Sequence, residues 1–237
     1  MPEIINTTFL TSIDRTYNVK SFRFDDQGGV EFRPGQFFQL FLDWEGDELS
    51  HYFSFSNSPT EKGYIEFTKK LSDSPFSQAL LALKEGDPVR IKLPMGIFVF
   101  EGEYPKVAFL SGGIGITPIR SICKYLTDTG STSSVHVLYC SRTAADFVFR
   151  DDFDEMEKKN RNLSLTYMIS SGEPPEGSNI KAERLDAGTV KNEIPDYQDR
   201  VFYVCGPPGM VKAMITMLKD ELSLSPDKIV HENFMGY

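Results

Sequence analysis

The chain has 237 residues, 40% of them hydrophobic, and its 25 basic side chains against 34 acidic ones leave a net charge of −9. An acidic balance spread over both halves excludes the concentrated basic surface that nucleic acid requires. No apolar run reaches the ~18 residues of a membrane span, and Met1-Pro2-Glu3 carries neither the basic nor the apolar region of a signal peptide, so a cytoplasmic protein is expected. The three cysteines, Cys123, Cys140 and Cys205, have no CxxC spacing, and His51, His136 and His231 are scattered. No metal site or protein-held cluster is therefore expected, and any electron carrier must be organic.

In chain order, the first region contains short runs at 4–13, 18–24, 36–42, 52–55, 63–69 and 88–93 that read as antiparallel strands. Alternation at Phe37, Gln39, Phe41 and at Ile65, Phe67, Lys69 supports them, with turns at Gly28-Gly29, Pro34-Gly35 and Lys62-Gly63. Six such strands suggest a small closed barrel. One helix interrupts them, with Ser74 as N-cap, Pro75 at its first position and Phe76, Ala79, Leu80 and Leu83 on one face.

A polar hinge at 101–105 leads into 106–111, an apolar run typical of a buried parallel strand. The next helix is expected to be capped by Thr117, with Pro118 in its first turn and Ile119, Ile122, Cys123 and Leu126 inward. Strand patterns at 135–140, 163–169, 201–205 and 229–232 then alternate with helices at 150–159 and around Met210, Val211, Met214, Ile215 and Leu218. The segment 170–179, rich in Ser, Gly, Pro and Glu, reads as an exposed loop. The fold expected is an antiparallel barrel domain, 1–102, followed by a doubly wound parallel α/β domain, 103–237.

Two segments of the second region carry chemistry. Gly112-Gly113-Ile114-Gly115-Ile116-Thr117-Pro118 lies between a strand and a helix, where glycines admit a close ligand and a helix start offers N–H groups to a pyrophosphate. Cys205-Gly206-Pro207-Pro208-Gly209-Met210 sits at the corresponding place after a later strand, at the carboxyl edge where open α/β sheets bind ligands.

Together these segments resemble the GGxGxTP and CGPxxM motifs of the ferredoxin–NADP reductase superfamily, and the resemblance covers nearly the whole chain. It implies that His51-Tyr52-Phe53-Ser54-Phe55-Ser56-Asn57 matches the family's Arg-x-Tyr-Ser-x-x-Ser flavin segment. Phe53 would pack on the flavin, Ser54 would hydrogen-bond near its N5, and Phe55 and Ser56 would give backbone contacts. His51 replaces the family's phosphate-gripping arginine, a charge that Lys69, Lys70, Arg90 or Lys92 would have to supply. Ser74-Pro75-Phe76-Ser77 resembles the Gly-x-x-Ser pyrophosphate turn, which implicates Phe76 and Ser77, and Leu93-Pro94-Met95-Gly96-Ile97-Phe98 resembles the GPxGxF turn.

On the coenzyme side the resemblance implicates Gly112, Gly113, Gly115, Thr117, Pro118, Cys205, Gly206, Pro207 and Met210. Ser141 and Arg142, after the second strand of the sheet, join this set. The family's 2′-phosphate Ser-Arg pair is replaced by Ser170-Ser171, and although Arg142, Lys181 and Arg184 lie nearby, this leans toward NADH over NADPH. Near the C-terminus, Glu232 and Phe234 match the family's acidic-x-aromatic ending, and Tyr237 lies beyond them.

The implied protein is a reductase that binds FAD, with FMN second, and moves hydride from NADH or NADPH to the flavin. Ser54, Cys205 and Glu232 would line the transfer point, and Phe234 or Tyr237 would gate it. Electrons would pass on to a separate acceptor: a ferredoxin, a flavodoxin, an oxygenase component, a cytochrome or a small molecule. The alternative is a non-catalytic flavin- and nucleotide-binding subunit of a larger redox complex.

Overall fold

The computed structural model describes residues 2–234. Its first half is built from β1 (Glu3–Thr16), β2 (Val19–Phe24), β3 (Phe37–Trp44), β4 (Asp47–Ser54), β5 (Ile65–Lys70) and β6 (Pro88–Met95). All pair antiparallel in the order β4-β3-β6-β1-β2-β5. The sheet curls around Phe22, Phe24, Phe38, Leu40, Phe55, Phe67 and Ile91, each at most 1% exposed. The ladder does not close, however. Its end strands β4 and β5 meet through one backbone bond just past β4, from Ser56 N–H to Glu66 O at 2.8 Å, so the expected barrel is a curled half-barrel.

Two local expectations change. The buried face of β3 is Phe38, Leu40 and Leu42, one step out of phase with the residues that the alternation singled out. Strand β4 begins at Asp47, because Glu45 and Gly46, with φ of 53° and 92°, form a two-residue hairpin turn that pairs Trp44 with Asp47. Helix α1 (Pro75–Ala82) packs Phe76, Ala79 and Leu80 onto the sheet, and Ser74 caps it by accepting from the Ser77 N–H.

The second half is a parallel sheet ordered β11-β10-β7-β8-β9, made of β7 (Lys106–Gly112), β8 (Ser134–Ser141), β9 (Leu163–Ile169), β10 (Val201–Gly206) and β11 (Ile229–Asn233). Helices α2 (Ile116–Asp128) and α3 (Arg150–Lys159) cover one face over Phe109, Val137 and Tyr139. Helices α4 (Ala187–Glu193) and α5 (Pro208–Thr216) cover the other over Leu110, Leu138 and Phe202. The chain winds outward from β7 through β8 to β9, then returns to the other side of β7 for β10 and β11. The order reverses between β7 and β10, and such a reversal opens a crevice at the carboxyl edge of the sheet.

Thr117 is not the cap of α2. A 3-10 turn, Gly113–Gly115, runs straight into the helix, so α2 starts at Ile116 with Gly115 already near-helical and no side chain capping it. Helix α4 escaped the sequence pattern, although Asp186, whose carboxylate accepts from the Thr189 N–H at 2.8 Å, is an ordinary helix-start signal. Among the described residues no helix is long and apolar enough to cross a membrane.

Candidate active site

A cleft of about 650 Å³ lies where the curled sheet meets the carboxyl edge of the parallel sheet. One wall comes from the end of β4, the end of β5 and the turn after β6; the other comes from the start of α2 and from β11. The apolar cluster of the parallel sheet runs across this junction and takes in Val19 and Phe98.

On the curled-sheet wall, the half-buried ring of Phe53 stacks on Phe67 with centroids 4.1 Å apart. Next to it, Ser54 is 6% exposed and its Oγ has no hydrogen-bond partner among the described residues. A buried hydroxyl left without a partner costs roughly 1–3 kcal/mol, so its persistence at a cleft marks a place prepared for a ligand atom. Lys69 and Lys70 also line the cleft, and burial holds the Lys69 ammonium pKa below its usual value.

Phe55 and Ser56 stand apart from this wall. Phe55 is buried in the sheet core, stacked on Phe32 at 3.8 Å, and its N–H is given to Gln36 O at 3.0 Å. Ser56 donates its N–H to Glu66 O and its hydroxyl to Glu66 Oε1, while its carbonyl accepts from Arg120 Nη1 at 3.1 Å. The N–H groups at both positions and the Ser56 carbonyl are thus engaged by the protein.

His51 lies outside the cleft, edge-on to Phe76 with centroids 4.6 Å apart. Burial and then Lys69 push its pKa below the usual value, so it is a neutral ring at pH 7 and a poor substitute for arginine. Arg90 is paired with Glu48, and neither it nor Lys92 lines the cleft, so Lys69 and Lys70 are its cations among the described residues. Phe76 is buried under α1, and Ser77 joins Ser72 and Ser74 in a cluster of hydroxyls at the helix start.

The other wall is built on glycines. A Cβ on Gly115 would stand 2.6 Å from Cys205 O and from Gly206 Cα, and one on Gly112 would stand 2.1 Å from Met210 Sδ. A Cβ on Gly206 would in turn stand 3.2 Å from the Gly112 backbone N. These residues let β7, β10 and the start of α2 touch. Gly113 differs, because its φ of 54° favours glycine while the space beside it is open. Ile114 and Thr117 line the cleft, Pro118 is buried behind them, and Pro207 is exposed.

Cys205 sits in register with Ser111 on one side and Glu232 on the other. It is fully buried and is not part of the cleft surface; burial first, then the Glu232 charge, pushes its thiol pKa well up, so it remains a thiol. Glu232 does reach the cleft, half-buried, and burial pushes its carboxyl up to about 7. Phe234 lines the cleft too, with its N–H held by Gly206 O at 3.2 Å. Tyr237 lies outside the described residues.

Ser141 and Arg142 stand at the end of β8, away from the cleft. The Ser141 Oγ is buried without a partner among the described residues, and Arg142 is exposed, its carbonyl tied to Ser171 N–H at 2.9 Å. Sequence reasoning did not single out Ile114 or Ile97, which is 91% exposed at the cleft rim. Ile97 stood in the recognised turn after β6, but only the folded chain shows that it faces outward.

The walls fit FAD: an apolar slot, an unpartnered hydroxyl beside it, two lysines on one side and a glycine turn on the other. Residues 8–100 match the family described as oxidoreductase FAD-binding domain, and residues 109–215 match the family described as oxidoreductase NAD-binding domain. The chain is 29% identical over 215 residues to the reductase component of propane 2-monooxygenase from Rhodococcus jostii, covering 88% of this chain and 57% of that protein. It is also 29% identical, over 223 residues, to the glycine betaine monooxygenase reductase of Chromohalobacter salexigens, covering 90% of this chain and 60% of that protein. The chain thus spans less than two thirds of the length of these curated relatives.

Among solved structures, the flavohem-like FAD/NAD binding domain of nitric oxide dioxygenase from Vibrio cholerae superposes with a TM-score of 0.82 at 23% identity, over 97% of this chain and 98% of that one. That likeness concerns the fold. With an FAD-binding half followed by an NAD-binding half, the chain belongs to the ferredoxin–NADP reductase superfamily of flavin-dependent oxidoreductases.

Proposed function

We propose that this protein is an FAD-dependent NAD(P)H reductase in which residues 1–102 hold the flavin, residues 103–237 hold the coenzyme, and the electrons leave to a separate acceptor. The observation that carries the reading is the shared cleft: Ser54 of one half, whose buried Oγ has no partner among the described residues, lines the same space as Thr117, Glu232 and Phe234 of the other. Bound FAD would supply a ring that takes two electrons as hydride from the nicotinamide and gives them up singly.

The side chains supply position and protons. Phe53 forms an apolar floor and Ser54 Oγ a donor or acceptor at the ring edge. Lys69 and Lys70 would answer the negative charge that FAD brings to the cleft. Glu232, with its carboxyl near neutrality, holds or releases a proton at the cleft surface at working pH. Cys205 backs Glu232 as an uncharged neighbour. Phe234 lines the slot and would have to yield to an arriving nicotinamide ring. For the acceptor, the named roles of the Rhodococcus and Chromohalobacter relatives support an oxygenase component.

Purified protein should be yellow, and anaerobic addition of NADH should bleach it faster than NADPH does. A yellow protein that neither coenzyme bleaches would overturn the reading in favour of a flavin- and nucleotide-binding subunit without redox chemistry, and a colourless protein that takes up no added FAD would overturn flavin binding itself.

A further inference from the structure

Arg120, one turn past Thr117 on α2, is 6% exposed although it is charged. Its guanidinium reaches across to the curled sheet, donating to Ser56 O at 3.1 Å and forming a two-pronged pair with Glu61. Its other edge meets Asp152 Oδ2 of α3, with Nε at 3.0 Å and Nη2 at 2.8 Å, and its central carbon lies 5.6 Å from the Phe149 ring centroid. The next residue repeats the gesture. Ser121, fully buried, donates Oγ–H to Asn57 O at 2.7 Å.

Two consecutive side chains of α2 therefore hold two consecutive carbonyls of the segment that leaves β4. That segment is stiff on its far side as well. Ser56 N–H bonds Glu66 O, Asn57 Nδ2 donates to Tyr64 O at 2.9 Å, and Asn57 Oδ1 accepts from Glu66 N–H at 2.9 Å. Ser54, two residues before the first clamped carbonyl, lines the cleft; Thr117, three residues before Arg120, lines it from the opposite wall. The clamp is thus a short covalent and hydrogen-bonded path between those walls.

Stability alone does not explain it. A buried ion pair is commonly no better than a well-packed apolar contact of the same size, whereas a planar five-donor guanidinium fixes direction as well as distance. We propose that Arg120 and Ser121 are positioning residues: their bonds to the Ser56 and Asn57 carbonyls set the spacing of the two walls, and so the donor–acceptor distance for hydride transfer. The proposal rests on the reductase reading given above.

The test uses the flavin-loaded protein and the variants Arg120→Lys, Ser121→Ala and Leu126→Ala. Leu126 is 1% exposed on the same helix and outside the clamp, so it serves as a control for destabilisation alone. At saturating NADH, the limiting rate of anaerobic bleaching is expected to fall about 10–100-fold in Arg120→Lys and about 3–10-fold in Ser121→Ala, since misplacement by ~1 Å costs on the order of a hundredfold. The half-saturating NADH concentration should stay within about twofold, and the long-wavelength absorbance of the stacked nicotinamide–flavin pair should weaken.

Leu126→Ala should lower the melting temperature and keep rate and absorbance. Wild-type rate and absorbance in the two clamp variants would overturn the proposal, as would an equal rate loss in Leu126→Ala. If Arg120→Lys yields no folded protein, Ser121→Ala decides by the same criteria. Hydrogen exchange of the 56–61 amides provides a readout free of catalysis. Faster exchange there in Ser121→Ala supports the clamp and unchanged exchange refutes it, even if the wild type is not bleached and the reductase reading itself has failed.

Discussion

The two walls of the cleft use their special residues in opposite ways. On the curled-sheet wall, Ser54 keeps a buried hydroxyl free of partners among the described residues. On the parallel-sheet wall, three of the five glycines in the two segments, Gly112, Gly115 and Gly206, are closely approached by other parts of the chain. One wall holds chemistry in reserve, and the other uses its motif to bring strand ends and a helix start close enough to make a wall at all. A motif residue can thus be indispensable without touching a ligand.

Substitution at the glycines breaks this contrast most sharply. Gly115→Ala forces a Cβ to within 2.6 Å of the Cys205 carbonyl oxygen, a backbone atom with nowhere to go. We expect a loss of about 3 kcal/mol or more, a fall in melting temperature of roughly 6–12 °C for a chain of this size. Gly113→Ala meets open space and suffers only from its φ of 54°, for about 1 kcal/mol and roughly 2–4 °C. Thermal melts of the two variants side by side decide the matter; equal shifts would show that the two glycines do the same job.

On the other wall the expected pattern is reversed, with function lost and stability kept. Ser54→Ala removes an oxygen that bonds to nothing among the described residues, so the melt should move by no more than about 1 °C or rise slightly. Flavin bleaching by NADH should slow by roughly 100-fold, the low end of the range for a single positioned hydrogen-bonding group. A variant that loses stability but keeps its rate would place Ser54 among structural residues.

The same contrast explains what the sequence disclosed and what it withheld. Strand alternation, the Ser74-Pro75 cap and the two glycine segments depend on local periodicity and turn chemistry, so they were legible, together with the order of the two sheets. The hairpin at Glu45-Gly46 was missed because a non-glycine residue adopts positive φ at its first position. The cap of α2 was misplaced because a 3-10 turn replaces the side-chain cap with backbone.

At the site, Phe53, Ser54, Thr117, Glu232 and Phe234 all line the cleft. Phe55, Ser56 and Cys205 do not, because the groups that bury or engage them, such as Phe32, Arg120 and Ser111, are set by the fold rather than by neighbouring sequence. Arg120 went unnoticed for the same reason: one arginine in an amphipathic helix looks like a solvent-facing residue until its carboxylate partners at 61 and 152 are seen beside it.

Glu232 gives the smallest and most specific difference between the walls. Its carboxyl titrates at about 7 in the folded protein against an ordinary value of 4.5, because burial disfavours the charge. A carboxyl raised on folding binds its proton more tightly in the native state, so the stability that it contributes is complete below pH 4.5 and disappears as pH rises through about 7. Glu232→Gln cannot ionise and escapes that loss. The variant should therefore gain on the wild type as pH is raised from about 5 to about 8, and the two should converge at the acid end. Its bleaching rate should also lose the inflection near pH 7 expected of the wild type, with a fall of about 3–10-fold at neutrality if the proton at this carboxyl takes part. Melts and single-turnover rates across that pH range read both effects. An unchanged inflection in Glu232→Gln would assign the titration to another group in the cleft, and a parallel pair of stability curves would show that this carboxyl is already hydrated in the folded chain.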